Sequence, residues 1–147
     1  MIATTILIVQ VSLTGGFGNF TNQTDTRLVA SPSLGTNDSQ EKDYAWGDID
    51  QDGDIDLICV RKEPFTSTGR DINVVFMNED GVLTDRTEQY ATDTDVNGDN
   101  GFLTPTNDRD VILHDVNNDG WLDMLTVTTL TDNSPTLDAC NLVTRGS

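Results

Sequence analysis

The stretch GDIDQDGDID, residues 47–56, places five aspartates at alternate positions of the chain. Carboxylates at this spacing repel one another, and an apolar core offers them no compensation. The stretch is therefore either a solvated acidic loop or a segment whose side chains converge on a cation. Gly53 lies in the middle of the run and permits a sharp turn, which favours the second alternative.

The pattern recurs 67 residues later in the chain. Residues 43–60, DYAWGDIDQDGDIDLICV, align with residues 110–127, DVILHDVNNDGWLDMLTV, and six of the eighteen positions are identical. A second match, between GNFTNQT at 18–24 and GVLTDRT at 81–87, has an offset of 63. The difference between the two offsets predicts an insertion within residues 92–102. The chain therefore contains an internal repeat, which is typical of modular architectures.

Short alternating segments around these matches predict strands. Residues 71–77 predict one strand, NEDG a hairpin turn and VLTDRT the returning strand. In the first copy we expect a strand at ILIVQVSL, a turn at TGGFG and a return through NFTNQT. Each acidic run is also preceded and followed by a short strand: YAW and LICV in the first copy, VIL and MLTVTT in the second.

No segment of useful length repeats its apolar residues with a helical period, so the chain is predicted to be all-β. We expect two antiparallel β repeats, each of which carries one acidic loop. The predicted boundaries are a single domain at 1–135, with units at about 5–60 and 71–130, and a C-terminal tail at 136–147. With these boundaries, we expect one complete repeat unit between two partial units that complement each other.

The charge of the chain excludes one class of partner. Its 147 residues include 25 Asp and Glu against 8 Lys and Arg, which gives a formal net charge of −17. Nucleic acid is excluded because phosphate binding needs the opposite sign, and an anionic membrane surface is disfavoured for the same reason. The apolar N-terminal segment MIATTILIVQVSL is too short to span a bilayer and is a poor signal peptide, so we expect no membrane insertion.

The two acidic loops, residues 48–56 and 115–123, have the oxygen spacing of a site for a hard cation. Oxygen-bearing side chains fall at positions 1, 3, 5 and 9 of each loop, and glycine falls at position 6. Position 7 would contribute its backbone carbonyl, which explains why it is aspartate in one loop and tryptophan in the other. The predicted ligands are Asp48, Asp50, Asp52, Asp54 and Asp56, and Asp115, Asn117, Asp119, Trp121 and Asp123.

We predict that both loops bind Ca²⁺, because many protein oxygens in a flexible loop suit this ion better than Mg²⁺. The lack of a Cys or His cluster argues against softer metals. The EF-hand is excluded, since its loop needs Glu at position 12, where this chain has Cys59 and Thr126. A third acidic stretch, residues 93–101, lacks the closing carboxylate; it is either a surface loop or a weak third site completed by Asp99.

The two copies resemble FG-GAP/VCBS-type repeats, the calcium-bearing blades of integrin-α-like β-propellers and of many bacterial surface proteins. The resemblance covers roughly residues 5–130 and is specific at the two loops. It implies two blade-like antiparallel β repeats with calcium-binding loops, in an incomplete propeller-type or sandwich-like arrangement. It also implies that the family's ligand positions fall on the ten residues named above. Two features depart from the family: its Phe-Gly pair occurs cleanly only at Phe17-Gly18, and a closed propeller needs about four blades or more.

Four other side chains are candidates for a chemical or packing role. His114, the single histidine, has no nucleophile or partner with a recognisable signature, so we expect that the protein is not an enzyme. Tyr44 and Trp46 are predicted to be core residues rather than a platform for a ligand. Cys59 is either a buried thiol or the partner of Cys140 in a disulfide that would pin the tail to the first repeat.

These features lead to two hypotheses about function. The first is an extracellular or cell-surface, calcium-binding structural subunit that self-assembles head to tail by exchange of terminal strands, as in a filament or surface layer. Internal closure of the terminal strands in a monomer stays open as an alternative to exchange. The second hypothesis is an adhesion or recognition module that binds a protein or glycan as a fragment of a larger β-propeller.

Overall fold

The computed structural model describes residues 20–30, 40–63, 69–92 and 97–128, together with the backbone of residues 141–143. The N-terminal hairpin predicted from ILIVQVSL and TGGFG lies outside these residues, as do Asp93, Asp95 and Cys140. No helix within the described ranges has the length and hydropathy that crossing a membrane requires.

The described residues form two open β-sheets, which confirms the all-β prediction with an incomplete, sandwich-like arrangement. The strands are β1 (Leu28–Val29), β2 (Glu41–Gly47), β3 (Asp56–Arg61), β4 (Val74–Glu79), β5 (Val82–Asp85), β6 (Asp108–His114), β7 (Asp123–Thr128) and β8 (Asn141–Val143). The first sheet has five strands in the order β1-β5-β4-β3-β2, and the second has three in the order β6-β7-β8. All pairs are antiparallel except β1 with β5. Strand β8 lies within the segment predicted as a tail.

The backbone repeats with the offset seen in the sequence. Strands β2 and β3 have the same lengths and register as β6 and β7, each displaced by 67 residues. Both pairs also have a register shift at the same place, between Glu41 and Asp43 and between Asp108 and Asp110. The two loops therefore leave and enter their sheets in the same way.

The turn between β4 and β5 is the predicted hairpin. Asp80 and Gly81 have φ angles of 54° and 85°, the left-handed values that a two-residue turn of type I′ needs. Asn78 Oδ1 accepts a hydrogen bond from the Gly81 N–H at 2.9 Å, which closes the turn. The sequence NEDG predicts this turn because aspartate and glycine tolerate positive φ.

The predicted return through NFTNQT is wrong for its described residues, since 20–23 form no strand and a helical turn, α1 (Thr24–Arg27), begins at the last residue. A matching turn, α2 (Thr87–Tyr90), follows β5 at an offset of 63. In both turns the first threonine donates its N–H and its hydroxyl to the side-chain oxygen two residues earlier, Asn22 or Asp85, at 2.7–3.0 Å. These local bonds compete with strand pairing and start the turn.

The core between the two sheets is built from residues that point inward from β2, β3, β4, β6 and β7. Ala45, Ile58, Val75 and Met77 of the first sheet belong to the same buried cluster as Val111 and Met124 of the second. A second cluster covers the opposite face of the first sheet: Leu57, Cys59, Val74, Phe76 and Leu83. The Cys59 side chain is a buried thiol in this cluster.

The prediction that Tyr44 and Trp46 are core residues is wrong. Both alternate with the buried Ala45, and their side chains are 38% and 56% exposed. Both side chains lie on the same face of the first sheet as Leu57 and Cys59, opposite the core between the sheets, and β2 is the edge strand of this sheet among the described residues. Alternation in the sequence identifies the two faces of a strand without showing which one is buried.

Candidate metal centre

The two acidic loops have the same backbone. Gln51 and Asn118, at position 4, have φ angles of 63° and 59°, and Gly53 and Gly120, at position 6, have φ angles of 98° and 91°. A Cβ atom added to either glycine would meet no atom within 4 Å. The glycines are therefore required by the left-handed backbone rather than by lack of space.

Side-chain oxygens hold this backbone from inside each loop. In the first loop, Asp48 Oδ2 accepts from the Gly53 N–H at 3.1 Å, and Asp52 Oδ1 accepts from the Asp54 N–H at 2.8 Å. Asp50 Oδ1 accepts from the Asp52 N–H at 3.3 Å. The second loop repeats all three bonds at 2.8–2.9 Å, with the acceptors Asp115, Asn117 and Asp119 and the donors Gly120, Asp119 and Trp121. Alternate carboxylates are thereby turned toward the centre of the loop.

Asp56 closes the first loop and joins it to the sheet. Its side chain is 1% exposed. Oδ2 accepts from the Ile49 N–H at 2.7 Å, and Oδ1 accepts from the Asn78 N–H on β4 at 2.8 Å. Burial raises the pKa of Asp56; the two N–H donors lower it and the carboxylates of Asp50 and Asp52 raise it, so that the net shift is upward. The negative charge at this position is therefore costly.

Asp123 has the same place in the second loop. It is 1% exposed, and its Oδ2 accepts from the Val116 N–H at 2.8 Å.

Three of the predicted ligands of the first loop come together. The carboxylates of Asp48, Asp50 and Asp56 each offer an oxygen within 4.8 Å of the others, a group that could hold a metal ion. Asp48 Oδ1 is buried and accepts no hydrogen bond. A carboxylate oxygen that has lost water without gaining a donor is destabilising, and a bound cation would reverse this. An all-oxygen donor set fits a hard cation such as Ca²⁺ or Mg²⁺.

Asp52 and Asp54 lie outside this group of three. Both are exposed, and the Asp52 carboxylate is already bonded to the backbone of Asp54. They stay predicted ligands, the first through its side chain and the second through its carbonyl.

The second loop is a weaker candidate. Its position 3 is Asn117, so it has one carboxylate fewer among the four positions that would bind through their side chains, and Asn117 Nδ2 donates to Asp119 Oδ2 at 2.9 Å. That bond occupies an oxygen which a cation would need. In the described part of the chain, no second group of three carboxylates comes together as the group of the first loop does. Trp121, at position 7, is partly buried.

Three residues near the loops were not singled out by the sequence. Asn78 bridges to Asp56, as described, and its Nδ2 also donates to the Ile55 carbonyl at 3.1 Å. Gln51 Nε2 donates to the Gly120 carbonyl at 2.6 Å and so joins the two loops. Gly47 lies against the second unit, since a Cβ there would be 2.7 Å from Leu122 Cδ1. For these three residues the sequence offers one signal of a close contact, which is Gly47 at the position where the second repeat has His114.

The remaining predicted features are placed as follows. His114 is exposed at the end of β6, in register with Asp123. In the third acidic stretch, Gly98 has a left-handed φ of 89°, and Gly101–Leu103 form a short 3₁₀ turn.

No protein family, curated protein or solved structure matches this chain. The resemblance to FG-GAP/VCBS-type repeats therefore stays a prediction from the sequence.

Proposed function

We propose that the protein is an extracellular calcium-binding structural protein in which Ca²⁺ clamps the strands on either side of each acidic loop. The observation that carries this proposal is the group of three converging carboxylates in the first loop, with the unsatisfied oxygen of Asp48 among them. Two sites are proposed, of which the first is the stronger because the second replaces a carboxylate with Asn117.

A cation in the first loop would join three strands. Asp48 follows the end of β2, and Asp56 is the first residue of β3 and accepts the N–H of Asn78 on β4. Neutralising the charge of Asp48, Asp50 and Asp56 removes their mutual repulsion, so that binding and folding are coupled. Sites of this loop type in extracellular modules have dissociation constants on the order of 10⁻⁴ to 10⁻³ M, which requires the Ca²⁺-rich surroundings outside the cell.

The proposal includes self-assembly through terminal strands. The second sheet has three strands against five in the first, and its outer strand β8 has three residues. Among the described residues, β8 pairs with three of the six residues of β7, and a strand from another copy would extend the sheet by β-augmentation. Repeated head-to-tail contacts of this kind give a filament unless they close into a ring. We assign the protein no catalytic role, no nucleic-acid partner and no membrane insertion.

The proposal is tested by measuring particle size with light scattering and negative-stain imaging, in millimolar Ca²⁺ and after EDTA. We expect long particles that dissociate or unfold on chelation. Deletion of residues 1–12 is expected to abolish assembly while Ca²⁺ binding, followed by calorimetry, persists. Particles that are indifferent to EDTA would contradict the calcium clamp, and unchanged assembly of the deletion variant would contradict strand exchange.

A recognition module is the second candidate, and the exposed aromatic residues of β2 favour it. Trp46 and Tyr44 present their rings on an edge strand, and exposed aromatic side chains are frequent anchors for proteins and glycans. The candidate predicts that Trp46→Ala abolishes binding to a surface or glycan ligand without affecting particle length. Assembly lost in Trp46→Ala would instead place these rings in a contact between copies.

A further inference from the structure

The two acidic loops touch each other through one polar and one apolar contact. Gln51, at position 4 of the first loop, donates its Nε2–H to the Gly120 carbonyl, at position 6 of the second loop, at 2.6 Å. Leu122, at position 8 of the second loop, packs against Gly47, the residue before the first loop, where an added Cβ would meet Leu122 Cδ1 at 2.7 Å. The loops are thus neighbours, although 69 residues separate Gln51 from Gly120.

The peptide group that joins Gly120 to Trp121 is held from both sides. Its carbonyl oxygen accepts from Gln51 of the first loop, and its N–H donates to Asp119 Oδ1 of its own loop at 2.8 Å. The neighbouring Gly120 N–H donates to Asp115 Oδ2 at 2.9 Å. Asp115 and Asp119 are predicted ligands at positions 1 and 5, and the carbonyl of Trp121 is the predicted ligand at position 7. The contact from the first loop therefore reaches the centre of the second loop's turn.

Gln51 is also fixed by its own loop. Its left-handed φ of 63° is set by the turn that brings Asp48 and Asp50 together, so the direction of its side chain depends on the shape of that turn. Asn118 has the same position and nearly the same φ of 59° in the second loop, and it offers an internal comparison.

We propose that Gln51 couples the two loops, so that a divalent cation bound in one raises the affinity of the other. This inference rests on the proposed calcium-binding function. A cation in the first loop orders its turn and holds Gln51 in the position that restrains the Gly120–Trp121 peptide. The second loop then has less freedom to lose when it binds an ion, and linkage makes the effect reciprocal. Gln51 is a positioning residue, since it acts through this peptide group.

The test is titration of the full chain with CaCl₂ by isothermal titration calorimetry. Asp48→Asn and Asp115→Asn proteins give the binding constants of the second and first loops taken singly. The coupling factor is the overall constant for binding two ions divided by the product of these single-loop constants. The coupling factor is measured again after Gln51→Ala is added to the unaltered chain, to Asp48→Asn and to Asp115→Asn. The control adds Asn118→Ala to the same three proteins.

The expected result is a coupling factor about fivefold smaller with Gln51→Ala, the effect of one net hydrogen bond. Repulsion between the two ions also enters the factor, but it is the same in both series and cancels in the comparison. Asn118→Ala is expected to leave the factor unchanged, because it alters the same left-handed position without touching the contact between the loops. Gln51→Asn, which tolerates positive φ but is one methylene too short to reach Gly120, repeats the test independently of the folding of Gln51→Ala.

Three outcomes separate the inference from the proposed function. A smaller factor with both Gln51 variants and not with Asn118→Ala supports the coupling. An equal factor with and without Gln51 overturns the coupling and leaves calcium binding intact. Absence of any Ca²⁺-dependent heat in the unaltered chain overturns the proposed function, and the coupling with it.

Discussion

Asp56 is expected to stabilise the protein even without an ion, whereas Asp52 is expected to matter only when Ca²⁺ is bound. Asp56 is buried and accepts N–H bonds from Ile49 and Asn78 at 2.7 and 2.8 Å. In Asp56→Asn one of these donors faces an amide NH₂ instead of an oxygen. A hydrogen bond to a charged group contributes about 1.5–3 kcal/mol, and loss of one costs a similar amount when the donor stays buried.

One effect offsets part of this loss. The raised pKa of Asp56, caused first by burial, shows that its negative charge is disfavoured in the folded protein, and the neutral asparagine removes that cost. We therefore expect Asp56→Asn to lower the free energy of unfolding by about 2 kcal/mol in EDTA. Asp52→Asn alters an exposed carboxylate, so the change in EDTA is expected to lie within about 0.5 kcal/mol.

Addition of Ca²⁺ is expected to reveal the role of Asp52, because bound Ca²⁺ stabilises the folded protein. At about 10 mM Ca²⁺ and a dissociation constant on the order of 10⁻⁴ to 10⁻³ M, one site stabilises the folded protein by about 1.4–2.7 kcal/mol. Asp52→Asn should lose most of this increment for the first loop. Asp54→Asn is the matched control, because it removes a neighbouring exposed charge at a position whose backbone carbonyl, and not its side chain, is the predicted ligand.

The assay is urea unfolding of the wild type and the three variants, in EDTA and in Ca²⁺, with the free energies compared at equal slope. If Asp56→Asn costs no more than Asp52→Asn in EDTA, the bridging role of Asp56 between loop and sheet is wrong. If Asp52→Asn retains the full calcium increment, the assignment of Asp52 as a ligand is wrong; if the wild type shows no calcium increment, the assignment of the first loop as a metal site is wrong.

Two further predictions concern strand β2 and its neighbours. Trp46→Ala is expected to lower the free energy of unfolding by less than Leu57→Ala on the neighbouring strand, because Trp46 is 56% exposed and Leu57 is fully buried. Leu57→Ala should cost about 2–5 kcal/mol. Equal losses for the two variants in urea unfolding would place Trp46 in the core. The second concerns Asp43, whose Oδ2 accepts the Val111 N–H at 3.1 Å, and the facing Asp110. Burial raises the pKa of Asp43, but the bonds from Val111 and Asp110 outweigh it and the net shift is downward, while the bond to Asp43 and then its charge raise the pKa of Asp110. A raised folded-state pKa means that the contribution of Asp110 is full below its unfolded pKa and is lost as pH rises through the folded value. The side chain of Asp110→Asn stays uncharged, so the variant should have a higher free energy of unfolding than the wild type at neutral pH, and the difference should shrink on acidification. Unfolding in EDTA over a series of pH values measures this difference. A difference that is constant with pH would contradict the prediction.

The class of the fold and the outline of the candidate site could be predicted because they depend on local order in the chain. The turn at Asp80-Gly81 follows from two residues that tolerate positive φ. The hydrogen bonds that shape each acidic loop join residues at most seven positions apart, so their spacing in the sequence sets the geometry. The same spacing after 67 residues produces the same backbone. The turn at Thr24 is equally local, but the sequence NFTNQT does not show whether the side-chain bond from Thr24 to Asn22 or strand pairing prevails, and the strand predicted there is wrong.

The sequence by itself determined that the chain has two repeated acidic loops between β-strands, because side chain to backbone bonds within a loop need only the right residues at the right separation. Only the tertiary structure decided which face of β2 is buried, that Asn78 of β4 holds Asp56, and that Gln51 reaches Gly120. These contacts join residues 22 and 69 positions apart, or depend on which strand stands at the edge of a sheet. Such pairings are set by how the two sheets pack, and no spacing along a single strand or loop encodes them.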